Sequence, residues 1–387
     1  MVTHRTYWLD RIEAAWRSRS IVWLAGVRRS GKTCLSKTLP NTDYFDCELP
    51  RVRRRMEDPQ DFLDSLGKGR FVLDEIHRLK APSELLKIAA DHYPDINILA
   101  TGSSTLGASS KFKDTLAGRK YNIHLTPMIS EDLIDFQNTN LSHRLFRGGL
   151  PPFFLPDKVP ERDFQEWMDA FWSKDIQLLF RLERRDSLQR FTELLMAQSG
   201  GIFEATRFAQ PCEVSRTTIK NYLKVLEATF VINVVRPYST HLSTEIVSAP
   251  KVYGFDTGFI CYYRGWNKLR KEDLGILWEH YILNEIQAHA GTRYIHYWRN
   301  KRGHEVDFIY IKRGSPPLAI ECKWSANQFE LSGLKAFRHK YPEGDNLVIA
   351  QDIDRSYTKT YAGIKIKFMN ISGLLKKIRG ISNGRYL

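Results

Sequence analysis

Residues 21–33 constrain this chain more than any other segment. The apolar run Ile21-Val22-Trp23-Leu24-Ala25 leads directly into Gly26-Val27-Arg28-Arg29-Ser30-Gly31-Lys32-Thr33. Five apolar residues in a row read as a buried strand, and the next eight are a complete G-x-x-x-x-G-K-T loop opening a helix. A strand, a glycine loop and a helix in that order imply an α/β unit. The spacing has a chemical reason. Backbone N–H groups of Gly26, Arg28, Arg29, Ser30 and Gly31 can wrap phosphates, Lys32 can reach the β and γ oxygens, and the Thr33 hydroxyl can ligate Mg²⁺. The N-terminal dipole of the helix adds to the attraction. The same pattern also occurs as a plain turn before a helix, so the residues that follow decide between the two.

Two more strand-like runs end in complementary chemistry. Residues 70–75, RFVLDE, finish in two acids: Asp74 is expected to hold Mg²⁺ through water, and Glu75 to orient and deprotonate the attacking water. Residues 96–104, INILATGSS, end in small polar groups, with Ser103 beside the γ-phosphate. Together these imply ATP binding. A polar, helical stretch runs on to Arg119, before the strand-like YNIHLTPM. Arg119 reads either as a finger that stabilises charge on a neighbouring subunit's nucleotide or as a solvated arginine at a helix end. Arg51, Arg53, Arg54 and Arg55, between Pro50 and an acidic stretch, read as a solvated loop.

The middle of the chain, about 130–200, is largely helical and is interrupted by a Gly/Pro turn at FRGGLPPFF, residues 146–154. It suits a lid. Residues 203–235 then give a short helix, a break at Pro211-Cys212, a second helix N-capped by Ser215, and a β-branched run suited to a wing strand. In a DNA-bound helix-turn-helix, Arg216, Thr217, Lys220 and Asn221 would face the major groove. Such folds also serve as packing modules.

Charge is distributed unevenly. The +14 total divides into +3 for residues 1–136, +1 for 137–263 and +10 for 264–387. A basic last third points to a polyanion such as DNA as partner. That third also carries the helical GILWEHYILNEIQAHA, a strand pair around Arg302-Gly303, and the strand PLAIECKW. Asp307 precedes Glu321 by fourteen residues, and the period of a strand puts Glu321 and Lys323 on one face. Asp307 and Glu321 are candidate ligands for Mg²⁺ or Mn²⁺. Lys323 is the candidate for water and phosphate, and Glu279 would complete the site. The bland alternative is a strand-end acid plus an exposed E-x-K pair.

The 387 residues suffice for two or three domains. Five scattered cysteines without a Cys-x-x-Cys pair indicate reduced thiols. No run approaches a membrane span and the first twenty residues are charged, so a cytoplasmic location is expected.

Taken in order, GVRRSGKT, FVLDEIH, ILATGSS, LAGR, FRGGLP, TIKNYLKVLE, YGFDTGF, WEHYILNEI, HEVDF and IECK span nearly the whole chain. They resemble prokaryotic ATPases of the extended AAA class with a C-terminal winged helix and restriction-endonuclease-like domain. The resemblance implies an α/β fold: a P-loop ATPase core over 1–136, a helical lid over 137–200, a winged helix-turn-helix over 201–245, and a restriction-endonuclease-like domain over 246–387. It implies Arg119 as the arginine finger, a structural role for Asp256, and a PD-(D/E)XK-type site at Glu279, Asp307, Glu321 and Lys323. Arg28 and Arg29 are bulky for such a loop, which is acceptable where backbone does the cradling. The expectation is an ATP-hydrolysing, DNA-associating homo-oligomer, a ring such as a hexamer or another assembly, with a metal-dependent nuclease-like domain, in defence or DNA processing. An ATP-driven scaffold that binds without cutting and a protein-remodelling ATPase are the rival readings.

Overall fold

The computed structural model describes residues 3–102, 112, 115–158, 161–176, 185–240, 249–291, 294–312 and 314–383. Two units emerge: Met1–Leu141 with Gly149–Arg184 and Lys224–Val231, and Ser142–Gly148 with Arg185–Leu223 and Ile232–Leu387.

The first unit is built on a parallel five-stranded sheet of β1 (Ile21–Ala25), β2 (Asp43–Asp46), β3 (Gly69–Asp74), β4 (Ile96–Thr101) and β5 (Lys120–His124). Their order is β2-β3-β4-β1-β5. Every residue of β1 is buried, which explains its unbroken apolar sequence: a parallel strand covered on both faces has no polar side to show. Ile21, Trp23 and Ala25 pack with Phe71, Leu73, Ile98 and Ala100, joined by Phe62, Leu85 and Leu86 from the helices Pro59–Leu66 and Pro82–His92. Because β1, β3 and β4 are parallel, their C-terminal ends share one edge of the sheet, where ligands of open α/β sheets bind.

The arginine cluster at 51–55 differs from the expectation. It is a helix, Pro50–Arg55, not a loop. Leu49 is extended, Pro50 takes the first helical turn, where its missing N–H costs nothing, and arginine is a good helix former.

The second unit holds a mixed nine-stranded sheet ordered β13-β14-β12-β11-β10-β9-β7-β8-β6. The strands are β6 (Gly201–Ile202), β7 (Ile232–Pro237), β8 (Lys251–Gly254), β9 (Ile295–Arg299), β10 (Glu305–Tyr310), β11 (Leu318–Lys323), β12 (Asn346–Ala350), β13 (Tyr357–Tyr361) and β14 (Ile364–Met369). Trp298, Val306, Ile309, Ala319, Val348, Ile366 and Phe368 line a core with Leu334 and Phe337 from the helix Ser332–Lys340. The helix Lys271–Ala290 is buried over most of its length, and its Trp278 Nε1 donates to Ile349 O at 3.0 Å.

The helices Ala205–Ala209 and Arg216–Ala228 follow the expected break. Ser215 Oγ accepts from Thr218 N at 3.1 Å, Ile219, Tyr222 and Leu226 are buried, and Arg216, Thr217, Lys220 and Asn221 are exposed. The β-branched run after them is β7, which pairs antiparallel with β8 and parallel with β9 inside the large sheet. Among the described residues, no helix is long and apolar enough to cross a membrane. The five cysteines are free thiols.

Candidate functional site

The phosphate-type loop joins β1 to the helix Lys32–Lys37. Gly31 has φ of 96°, a left-handed conformation that a side chain would strain. A Cβ on Gly26 would lie 2.5 Å from Leu125 O, so the loop can pass β5 only with glycine there. Three contacts brace the loop. Arg5 NH1 donates to Ser30 O at 2.9 Å while its Nε and NH2 each reach Asp132 at 2.7 Å. Trp167 Nε1 donates to Arg28 O at 3.0 Å. Lys32 Nζ donates to Gly26 O at 3.0 Å and Val27 O at 3.1 Å. Thr33 is half-buried at the start of the helix, and the Ser30 hydroxyl is buried without a hydrogen-bond partner among the described residues. A glycine-cradled loop, an ammonium resting on its own carbonyls and an orphaned hydroxyl fit a bound phosphate chain.

Asp74 ends β3 in full burial. Its Oδ2 accepts from Tyr44 OH at 2.5 Å and its Oδ1 from Thr101 Oγ1 at the end of β4. Glu75 follows in a left-handed conformation, φ 55°, which turns its side chain out of the strand line, and its N–H donates to Thr101 Oγ1 at 3.2 Å. Its Oε2 sits 3.0 Å from His77 Nδ1. Burial would raise the Glu75 pKa, but the His77 hydrogen bond and the charges of His77, Lys32 and Arg28 outweigh it and hold the carboxylate below its usual range. Glu75 is therefore ionised, as a base must be. Arg5, Tyr44, His77, Thr101 and Trp167 escaped the sequence reading. Arg5, Tyr44 and Trp167 reach the site from distant positions, whereas His77, two residues after Glu75, and Thr101, last in a strand aimed at the site, carried a local signal.

Arg119 forms a two-pronged pair with Asp91 on the helix Pro82–His92, Nε to Oδ1 at 2.6 Å and NH2 to Oδ2 at 3.1 Å. Ser103 lies outside the described residues.

In the second unit, β10 and β11 pair antiparallel, with Phe308 opposite Ile320. That register sets Asp307 across from Glu321, and a bulge between Val306 and Ile309 in the β9 pairing falls on the same residues. Bulges re-aim side chains. Asp307 Oδ2 accepts from the Cys322 N–H at 2.8 Å. Lys323 Nζ lies 3.0 Å from Glu321 Oε2 and 3.7 Å from Asp307 Oδ2. Two carboxylates directly opposite repel. Burial and then Asp307 push the Glu321 pKa up against the pull of Lys323, while burial lowers the Lys323 pKa but the two acids outweigh it and hold it above its usual range.

Glu279 comes from the long helix, accepts from Tyr253 OH at 2.6 Å, and is joined by Lys251, which also pairs with Glu305. Burial, with the charge of Asp307, raises the Glu279 pKa against the pull of Lys251 and Tyr253. The structure thus brings Glu279, Asp307, Glu321 and Lys323 into one site and adds Lys251, Tyr253 and Glu305. A charged lysine in the otherwise apolar run KVYGF was the available signal for Lys251. Asp256 is distant in role: its Oδ1 accepts from Gly258 N at 2.9 Å and caps the helix Thr257–Tyr263. A buried set of oxygen donors with an ammonium already drawn between them suits a hard divalent cation such as Mg²⁺ or Mn²⁺.

Comparison with known proteins bears on the first unit. Residues 18–134 match a family described as an AAA domain, while residues 138–270 and 274–369 match two families described as domains of unknown function, DUF8612 and DUF4143. Uncharacterized proteins of Mycobacterium bovis and Mycobacterium tuberculosis are each 27% identical over 326 residues, 81% of this chain and 72% of their own length. One of Methanocaldococcus jannaschii is 20% identical over 319 residues, 73% of this chain and 70% of its own. Among solved structures, a Walker-type ATPase of Pyrococcus abyssi aligns with 68% of this chain and 96% of its own at 15% identity, with a TM-score of 0.44. Residues 18–134 of this chain therefore match an AAA domain, which supports ATP binding by the first unit.

Proposed function

We propose that this chain couples ATP hydrolysis in its first unit to metal-dependent cleavage of DNA in its second, as a homo-oligomer. The observation that carries the cleavage reading is the cross-strand pair Asp307 and Glu321 with Lys323 Nζ at 3.7 and 3.0 Å. In the first unit, Lys32 exchanges the Gly26 and Val27 carbonyls for phosphate oxygens, Thr33 and, through water, Asp74 would hold the Mg²⁺ of the nucleotide, and Glu75 takes the proton of the attacking water. Arg119 leaves Asp91 to meet a neighbouring subunit's nucleotide.

In the second unit, a divalent cation held by Asp307 and Glu321 would supply Lewis-acid polarisation of the scissile phosphodiester. Lys323 orients water on the same face and offsets phosphate charge. The basic last third supplies the phosphate contacts that hold the polyanion, joined by Arg216, Thr217, Lys220 and Asn221, and the setting is defence or DNA processing.

The test is Asp307→Ala. It is expected to lose both Mn²⁺ affinity and plasmid nicking while ATP turnover persists, and nicking at the wild-type rate would reject the site.

A further inference from the structure

Beside the Asp307–Glu321 pair lies a second arrangement of charge to which the proposed cleavage gives no task. Lys251, first residue of β8, is 5% exposed. Its Nζ is 3.2 Å from Glu279 Oε1 and forms an ion pair with Glu305 Oε1. The ammonium lies 5.9 Å from the ring centroids of both Tyr253 and Tyr297. Each ring is tethered, Tyr253 OH to Glu279 at 2.6 Å and Tyr297 OH to Ala249 O at 2.6 Å. The lysine therefore has one place to put its charge. Burial favours the neutral amine, but Glu279, Asp307 and Glu305 outweigh it and keep Lys251 protonated.

Charge balance says what this does. The four carboxyl groups of Glu279, Glu305, Asp307 and Glu321 can carry at most four negative charges against the two ammonium groups of Lys251 and Lys323. One divalent cation uses all of that capacity. A second would leave surplus positive charge among largely buried side chains, where uncompensated charge is costly. Arg299, 3.7 Å from the outer oxygen of Glu305, is 45% exposed and screened by solvent.

We propose that the Lys251 ammonium holds the position a second divalent cation would take between Glu279 and Glu305. The site then takes a single divalent cation, at Asp307 and Glu321, and Glu279 is a positioning residue rather than a ligand. This rests on the metal-site reading above.

The experiment counts Mn²⁺ bound to the full-length, nucleotide-free chain from the loss of the free-ion electron paramagnetic resonance signal. Wild type is expected to bind one ion that Asp307→Asn does not. Lys251→Met is expected to bind one ion more than wild type, and adding Glu279→Gln to remove it. Two ions lost on Asp307→Asn, or a folded Lys251→Met chain with the wild-type count, would overturn the inference while leaving the metal site intact. No ion lost on Asp307→Asn would overturn the metal reading, and this inference with it. If Lys251→Met does not fold, Lys251→Gln, shorter and neutral but still a donor, is expected to gain the same extra ion, and a folded Lys251→Gln chain with the wild-type count would overturn the inference.

Discussion

Lys32 donates to two carbonyl oxygens of its own loop, so binding a phosphate chain exchanges neutral acceptors for charged ones, which make stronger hydrogen bonds. Lys32→Ala is expected to abolish retention of radiolabelled ATP. Glu75→Gln is expected to keep ATP and lose turnover by roughly 10²–10⁴-fold, the usual worth of a positioned base. Unchanged phosphate release in Glu75→Gln would remove it from that role.

His280 gives a prediction about acid. Its Nδ1 is 2.7 Å from Ile276 O, which can only accept, so Nδ1 carries the proton and Nε2 accepts from Ser199 Oγ at 2.7 Å. Ser199 Oγ in turn accepts from Gly254 N at 2.6 Å. A second ring proton would have to turn the Ser199 hydroxyl around, and burial pushes the pKa down to about 3 from 6.5. The unfolded chain takes up a proton below pH 6.5 and the folded chain does not until about pH 3. Stability from this group is thus complete above 6.5 and falls as pH drops, with a slope of up to about 1.4 kcal/mol per pH unit. His280→Gln should flatten the fall of the denaturation midpoint between pH 6.5 and 4.5. An equal slope in both proteins would contradict the assignment.

At the scale of elements, Gly333 decides how closely the helix Ser332–Lys340 approaches the second site. A Cβ there would lie 2.0 Å from Glu305 O and 3.2 Å from Glu321 Oε1. Alanine normally stabilises a helix interior relative to glycine by about 1 kcal/mol. Here backbone must move, and overpacking costs about 1–3 kcal/mol. Gly333→Ala should therefore lower the urea midpoint, and a raised midpoint would show that the helix can shift freely.

The same neighbourhood shows what the sequence carried. The fourteen-residue spacing of Asp307 and Glu321 and the period-two pair Glu321 and Lys323 are local to one hairpin, so strand geometry alone predicts their meeting. Asp74 and Glu75 were legible in the same way, as the end of an apolar run. Lys251 and Tyr253 were not, because β8 reaches the site through the packing of sheet against the long helix, and Gly333 was not, because its close approach follows from tertiary packing. The cluster at Arg51, by contrast, misled: its charge suggested a loop where Pro50 and helix propensity make a helix.

For the whole molecule, the Arg119–Asp91 pair makes assembly testable. If Arg119 serves a neighbour's nucleotide, ATP turnover per chain should rise with protein concentration, and Arg119→Ala should lose turnover with ATP affinity kept. A monomer by light scattering with full turnover would refute assembly-dependent hydrolysis.

The proposed DNA cleavage by the second unit is most directly testable at Lys323, where binding and chemistry would separate. One charge in a segment of +10 would be a small part of any attraction to phosphates, whereas the proposed cleavage needs that ammonium to orient water. The direct measurement is nicking of supercoiled plasmid with Mg²⁺ or Mn²⁺ and ATP, beside DNA binding at the same salt, for wild type and Lys323→Ala. Metal-dependent nicking by wild type, with Lys323→Ala binding DNA nearly as well and cutting none, is the predicted result. Equal nicking by both proteins, or none by wild type on supercoiled, linear and single-stranded DNA, would contradict it.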